Sequence, residues 1–143
     1  MNEDTINLLN ECNSGVQMGI DSINDVLPHV KDNELRDILV QGRNEHESIA
    51  EETENLLDSY GREGKDPSPV ASGMSWIKTN FKLAVDSSDS TISDLITDGC
   101  DMGVKSMRKF INMYPAAEDK VKSTAEKLIS CEENMQNQIK RFL

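Results

Sequence analysis

Apolar residues recur along most of the chain at alternating spacings of three and four, which is the period of one face of an α-helix. The first run has a single gap, at Asn13, where the spacing calls for a core residue and the chain supplies an amide. Pro28 ends this run because proline has no N–H for a helical hydrogen bond. The pattern predicts a first helix over about residues 4–27, with apolar positions at Ile6, Leu9, Val16, Ile20, Ile23 and Leu27.

A second helical run follows after only a few residues. Asp32 or Asn33 can accept hydrogen bonds from the free amides of its first turn, and Gly61 follows its end. The run predicts a helix over about residues 33–60. Because the link is so short, the first two helices are expected to form an antiparallel hairpin. The inward positions of the second helix are Leu35, Leu39, Gly42, His46, Ile49, Thr53, Leu56 and Tyr60.

The middle of the chain predicts a connection that contains a short helix. Residues 61–69 read GREGKDPSP, and this concentration of glycine and proline indicates a loop. Residues 70–85 place Trp76 and Phe81 on one face and lysines away from it, which predicts a short amphipathic helix. Trp76 is expected to anchor this segment by packing.

Two further long helices complete the pattern. Ser88 or Ser90 can cap a helix over about residues 89–113, and Pro115 follows its end. A last run predicts a helix over about residues 116–142, again after a tight turn. Two antiparallel hairpins joined by a long segment predict an all-α four-helix bundle with a long crossover that contains the short helix.

Composition and charge exclude several functional classes. A length of 143 residues favours one domain over residues 1–143, and 4% aromatic residues favour helices over a β-rich core. The net charge of −11 argues against binding to nucleic acid and to anionic membranes. No apolar run is long enough for a membrane span, and MNEDTINLL lacks the features of a signal peptide. A cytoplasmic location is expected.

The excess of negative over positive charge lies entirely in the first half of the chain. Residues 1–66 carry 16 acidic and 5 basic side chains, whereas residues 67–143 carry 10 of each. Such a charge run is typical of a solvated helix face; a docking surface for a basic protein partner, or a field that attracts cations, is the alternative. Five glutamates of the second helix form the densest run: Glu45, Glu47, Glu51, Glu52 and Glu54.

The cysteines and glycines suggest packing roles first. Three widely spaced cysteines without a CxxC pair predict reduced core thiols, with a disulfide between Cys100 and Cys131 as the alternative. Gly99 and Gly103 are four apart on the third long helix and would let another helix approach closely. They are interpreted as a packing feature, or as the seam of a homodimer.

Polar residues interrupt the apolar faces at similar depths. In an antiparallel hairpin, residues equally far from the turn lie at the same depth. Counting from the two turns therefore places these residues in one layer at the middle of the bundle: Asn13, His46 with Glu45 beside it, Asp101 and Glu132. A buried polar group without a partner costs about 1–3 kcal/mol, so a clustered layer is less surprising than scattered groups. The layer is therefore the candidate site.

The chain resembles the ferritin-like superfamily, in particular an uncharacterised bacterial family of ferritin-like bundles known only as a domain of unknown function. The resemblance spans roughly residues 5–142 and contains no catalytic signature. It is carried by the segments LLNECNSGVQMGI, LRDILVQGRNEHESIAEET, PVASGMSWIKTNFKLAV and ISDLITDGCDMGVKSMRKFI.

This resemblance implies a metal centre whose ligands can be compared with the chain. Members with two iron or manganese ions take one carboxylate from each of two helices and a Glu-x-x-His pair from each of the others. Here Ser48 follows Glu45 at i+3, Met135 follows Glu132, and the first helix offers Asn13. A complete dinuclear centre is therefore not expected.

Two hypotheses follow for the polar layer. In the first, His46 and Glu132 hydrogen bond with Asn13 and with each other, and the protein is a non-enzymatic binding or assembly module without a cofactor that forms a homodimer. In the second, His46, Glu45, Asp101 and Glu132 hold one Fe²⁺ or Zn²⁺ ion, and the protein binds or oxidises iron. No phosphate-binding loop, HExxH motif or nucleophile motif indicates another chemistry.

Overall fold

Four long α-helices dominate the computed structural model, which describes residues 2–61 and 86–143. Their apolar faces pack against one another, and the described residues contain no β-strand. The helices are α1 (Glu3–Val26), α2 (Asn33–Ser59), α3 (Asp89–Met113) and α4 (Asp119–Ile139), with short 3₁₀ helices at Leu27–His29 and Lys140–Phe142.

Polar side chains cap the helices where the sequence offered alternatives. Asp32, rather than Asn33, accepts hydrogen bonds from the first-turn amides of α2. Ser88, rather than Ser90, accepts from Thr91 N at the start of α3. Gly61 follows the end of α2 with a φ of 72°, a left-handed conformation that favours glycine.

Helix α4 begins three residues later than its hydrophobic pattern predicted. The N–H of Ala116 donates to the Asp4 carboxylate at 2.9 Å, and the carbonyl of Ala116 accepts from Asn2 Nδ2 at 2.7 Å. Because these bonds tie Ala116 to the start of α1, the helix starts only after Glu118, which has extended backbone angles.

The directions of the helices confirm the predicted connectivity. The Asp89 carboxylate accepts from the backbone N–H groups of Lys31 and Asp32, each at 2.9 Å, so α3 starts beside the start of α2. The Tyr60 hydroxyl hydrogen bonds to Glu118, so α2 ends beside the start of α4. Helices α2 and α3 are therefore parallel, and the end of α2 and the start of α3 lie at opposite ends of the bundle. The short helix predicted over residues 70–85, with Trp76, lies outside the described residues.

The apolar core forms two clusters, one toward each end of the bundle. On α2, Ile49 and Leu57 belong to one cluster, whereas Leu35 and Leu39 belong to the other. His46 lies between these groups in the sequence of α2. The candidate polar layer is thus at the boundary between the two halves of the core.

Helices with the length and apolar character of a membrane span are absent from residues 2–61 and 86–143.

Candidate functional site

His46 and Glu132 form a buried pair across α2 and α4. His46 is completely buried, and Glu132 is 7% exposed. His46 Nε2 lies 3.0 Å from Glu132 Oε1, and His46 Nδ1 lies 2.7 Å from the carbonyl oxygen of Gly42. A backbone carbonyl and a carboxylate are both hydrogen-bond acceptors, so both ring nitrogens donate and the imidazole is positively charged.

The environment of His46 favours this charged form. Burial by itself lowers the pKa of His46, but hydrogen bonds to Cys131 and Glu132, together with the Glu132 charge, raise it to about 11. The ring therefore stays protonated at neutral pH, which a buried ion pair requires if neither charge is to be left uncompensated.

Two cysteines lie on either side of the pair. Cys131 Sγ is 3.4 Å from Glu45 Oε2 and 3.5 Å from His46 Nδ1. On α3, burial and then the charge of Glu132 raise the pKa of the Cys100 thiol. Burial raises the pKa of both thiols, so they remain protonated and act as donors. All three cysteines are free and buried, as the sequence predicted.

Glycines on three helices make room for these side chains. A Cβ atom at Gly19 would come within 2.6 Å of the His46 ring, and one at Gly42 within 2.5 Å of Met135 Sδ. A Cβ atom at Gly103 would lie 3.3 Å from Glu132 Oε1. Gly19 and Cys100 were not predicted as part of the site. The sequence does place Gly19 four residues after Gly15 in the middle of a long helix, and this spacing could have indicated Gly19.

The four residues predicted as metal ligands are only partly brought together. His46 and Glu132 are in contact, as predicted for the polar layer. Glu45 is exposed on α2 and accepts from Gln41 Nε2 at 3.1 Å as well as from Cys131. Asp101 is exposed on α3, where it accepts a hydrogen bond from the Gln136 side chain.

The prediction that Asn13 joins this layer is wrong. Asn13 is buried, but its Oδ1 accepts from the Thr53 hydroxyl at 3.4 Å, and it is Gly19 that lies against His46. Six residues of helix separate the two levels, about 9 Å. The prediction took residue 30 as the centre of the hairpin. It was wrong because the 3₁₀ turn Leu27–His29 continues α1 and moves the centre of the hairpin toward residue 33.

This arrangement does not fit an iron or zinc ion. A histidine ligand must offer a ring nitrogen lone pair, whereas both His46 nitrogens carry hydrogens donated to Gly42 and Glu132. Within the described ranges, no group of three or more His, Cys, Asp and Glu side chains is placed to hold a metal. The metal hypothesis nevertheless remains a prediction that loading experiments can test.

A groove of about 470 Å³ runs between α1 and α3 and reaches the buried pair. Its floor is formed by Leu128, Glu132 and Met135 of α4. Along α1 it extends from Asn7 to Ile23, about 24 Å at the helical rise of 1.5 Å per residue. Small residues of the two facing helices line its walls: Ser14, Gly15, Gly19, Ser22, Gly99, Gly103 and Ser106.

The polar groups of the groove are mainly acceptors. Glu11 and Glu132 both line it, and no Lys, Arg or His is among its described lining residues. Asn10 also lines the groove, and the residues that the structure describes supply no hydrogen-bond partner for its buried side-chain carbonyl. The groove thus combines a mostly apolar wall with carboxylate and carbonyl acceptors, and one of these carboxylates, Glu132, is paired with His46.

The described helices and their central ion pair define an all-α helical bundle of four long helices. Residues 4–113 match the family described as Domain of unknown function (DUF2383), and the chain belongs to this family. The match begins at the start of α1 and ends with α3. It confirms the predicted resemblance to a domain-of-unknown-function family. Neither the comparison with curated proteins nor that with solved structures found a match.

Proposed function

We propose that this protein is a non-enzymatic binding module whose ligand lies in the groove between α1 and α3. The groove itself carries the proposal. Its volume of about 470 Å³ falls within the range of small-molecule sites, about 300–1,000 Å³. Such sites are usually apolar with a few placed polar groups, and Glu132, Glu11 and Asn10 supply these here.

Gly15 of α1 supports the proposal, because a small residue at this position keeps the groove open. A Cβ atom at Gly15 would meet Leu128 at 3.4 Å, an ordinary van der Waals contact, so packing alone would accept alanine there. Glycine in a helix interior is about 1 kcal/mol less favourable than alanine. Because packing does not require glycine at this position, its presence is consistent with a need for open space beside α1.

The chemistry of the buried groups supports binding rather than catalysis. Both ring nitrogens of His46 already donate hydrogen bonds, so the ring has no free lone pair to act as a base. Cys100 lines the groove, but burial raises the pKa of its thiol, and a protonated thiol is a weak nucleophile.

Self-association belongs to the same proposal. Met102, which lines the groove, is 46% exposed, and Met113 on the same helix is 59% exposed. Exposed apolar side chains of this size are candidates for contact with a second copy of the chain. A homodimer with one groove per subunit is the expected assembly.

Uptake of a neutral fluorescent probe tests the binding function. N-phenyl-1-naphthylamine fluoresces strongly in apolar sites, and we expect saturable enhancement with the wild-type protein. Gly15→Leu places an apolar side chain in the groove and should weaken binding at least tenfold. Asn55→Leu adds the same side chain at an exposed position of α2 away from the groove and serves as the control.

Circular dichroism first establishes that both variants are folded. A second variant, Ser106→Leu, narrows the groove from α3 and should also weaken binding. The proposal fails if the wild-type protein shows no saturable uptake, or if the two groove variants bind the probe as well as Asn55→Leu does.

A further inference from the structure

We infer that the ligand of this groove is an elongated apolar molecule that carries a protonated amine, with its ammonium group at Glu132. This inference rests on the proposed binding function and specifies the chemical class of the ligand. Three independent features carry it: the shape of the groove, the sign of its charge and the exposure of the Glu132 carboxylate to it.

The length of the groove favours an elongated ligand. The groove is about 24 Å long at the helical rise, and its volume is about 470 Å³. An extended alkyl chain suits such a space and would lie against the apolar side chains of α3 and α4, such as Leu95, Met107 and Leu128.

The charge favours a cation over an anion. The ionised side chains among the described lining residues are carboxylates, and the whole chain has a net charge of −11. A negatively charged cleft raises the local concentration of cations and lowers that of anions. Amphiphiles with a carboxylate or phosphate head are therefore disfavoured.

Gly103 leaves the Glu132 carboxylate accessible from the groove. A Cβ atom at Gly103 would lie 3.3 Å from Glu132 Oε1 and 3.7 Å from Oε2, so a side chain there would crowd both oxygens. His46 donates one hydrogen bond to Glu132 Oε1. A carboxylate has about four acceptor positions, which leaves capacity for a further donor.

The His46–Glu132 pair also has a favourable orientation for a cation. The imidazolium lies on the α2 side, whereas Glu132 lines the groove. The negative end of this dipole therefore faces the ligand. The side-chain carbonyl of Asn10, which has no hydrogen-bond partner among the described residues, is a second acceptor on the α1 side of the groove and would accept a hydrogen bond from a polar group on the ligand.

A comparison of three ligands of equal chain length tests the preference for an amine separately from the binding function. The experiment measures displacement of bound N-phenyl-1-naphthylamine by n-octylammonium, 1-octanol and octanoate at pH 7. We expect octylammonium to displace the probe at a concentration at least tenfold lower than octanol does, with octanoate the weakest. This comparison uses the wild-type protein and does not depend on the folding of any variant.

A matched pair of variants then locates the ammonium group. Glu132→Gln should remove the preference for octylammonium over octanol, while Glu54→Gln, an exposed site on α2, removes the same charge and should retain it. Equal displacement by the amine and the alcohol, or tighter binding of octanoate, would overturn the inference and leave the binding function standing. Absence of probe uptake would overturn both.

Discussion

Gly19 of α1 lies directly against the imidazole ring of His46. A Cβ atom at Gly19 would come within 2.6 Å of ring atom Cδ2 and 2.7 Å of Nε2. The ring cannot simply move away, because hydrogen bonds to Gly42 and Glu132 hold it from both sides. The absence of a side chain at Gly19 is therefore a condition for burying the ion pair.

Two alanine substitutions one turn apart should have opposite effects on stability. Gly19→Ala should lower the free energy of unfolding by about 1–3 kcal/mol, because the new methyl group overpacks the locked ring. Gly15→Ala meets only ordinary contacts and should raise stability by up to about 1 kcal/mol through helix propensity. Urea unfolding followed by circular dichroism measures both, and equal effects would contradict the proposed role of Gly19.

Removing one member of the buried ion pair should lower the free energy of unfolding more than removing both. His46→Leu or Glu132→Leu alone leaves one buried charge without its partner, and each should lower the free energy of unfolding by about 3–5 kcal/mol. The double variant removes both charges and should be far more stable than the sum of the single effects predicts. Additive effects in this cycle would show that the two side chains do not act as a pair.

The helices were predictable because their signal is local. The three-and-four spacing of apolar residues, Pro28 and the two short links sufficed to predict four long helices and two hairpins. The start of α4 was missed because Ala116 is held by Asn2 and Asp4, residues more than a hundred positions away. Long-range contacts of this kind leave no mark on the local pattern.

The candidate site was predictable only in part, for a similar reason. His46 and Glu132 were identified because each interrupts an apolar stripe. Depth along a hairpin depends on the number of residues in the turn, so Asn13 was placed about two turns away from its actual level. The groove depends on the distance between α1 and α3, which the sequence indicates only through the spacing of glycines.

The stability of the protein should decline as pH rises above neutrality. The pKa of His46 is raised in the folded protein to about 11, from about 6.5 when unfolded. The stabilisation by its protonated form is therefore fully present below pH 6.5, decreases above it, and is lost as pH passes about 11. Urea unfolding between pH 6 and 10 measures this decline.

The double variant that lacks His46 and Glu132 is the control for this pH dependence. Burial also raises the pKa of the Cys12 thiol, to about 12, so a fall in stability at high pH has a second source. Burial raises the pKa of the Cys100 and Cys131 thiols as well, and both lie beside the pair, so the two proteins are compared between pH 6 and about pH 8, below the range in which thiols of the unfolded chain ionise. In this range the difference between the two pH curves isolates His46, and superimposable curves would argue against a raised pKa.

Light scattering coupled to size exclusion should detect a homodimer. If the exposed methionines of α3 form part of the contact, Met102→Lys with Met113→Lys should shift the protein toward the monomer. Glu47→Lys with Glu54→Lys changes charge on exposed positions of α2 and should leave the mass unchanged. A wild-type protein that stays monomeric at high concentration would remove self-association from the proposal.

Metal loading should give no stoichiometric binding at the buried pair. After incubation with Fe²⁺ under anaerobic conditions, or with Zn²⁺, and removal of free metal, elemental analysis should find far less than one ion per chain. The physical reason is that an ion at His46 must displace a proton from a nitrogen whose pKa is raised and break its hydrogen bond to Glu132 or Gly42. His46→Ala and Glu132→Ala serve as controls for metal bound elsewhere on the acidic surface. One or more ions per wild-type chain, lost in both variants, would show that the pair opens to bind metal and would establish the iron or zinc alternative.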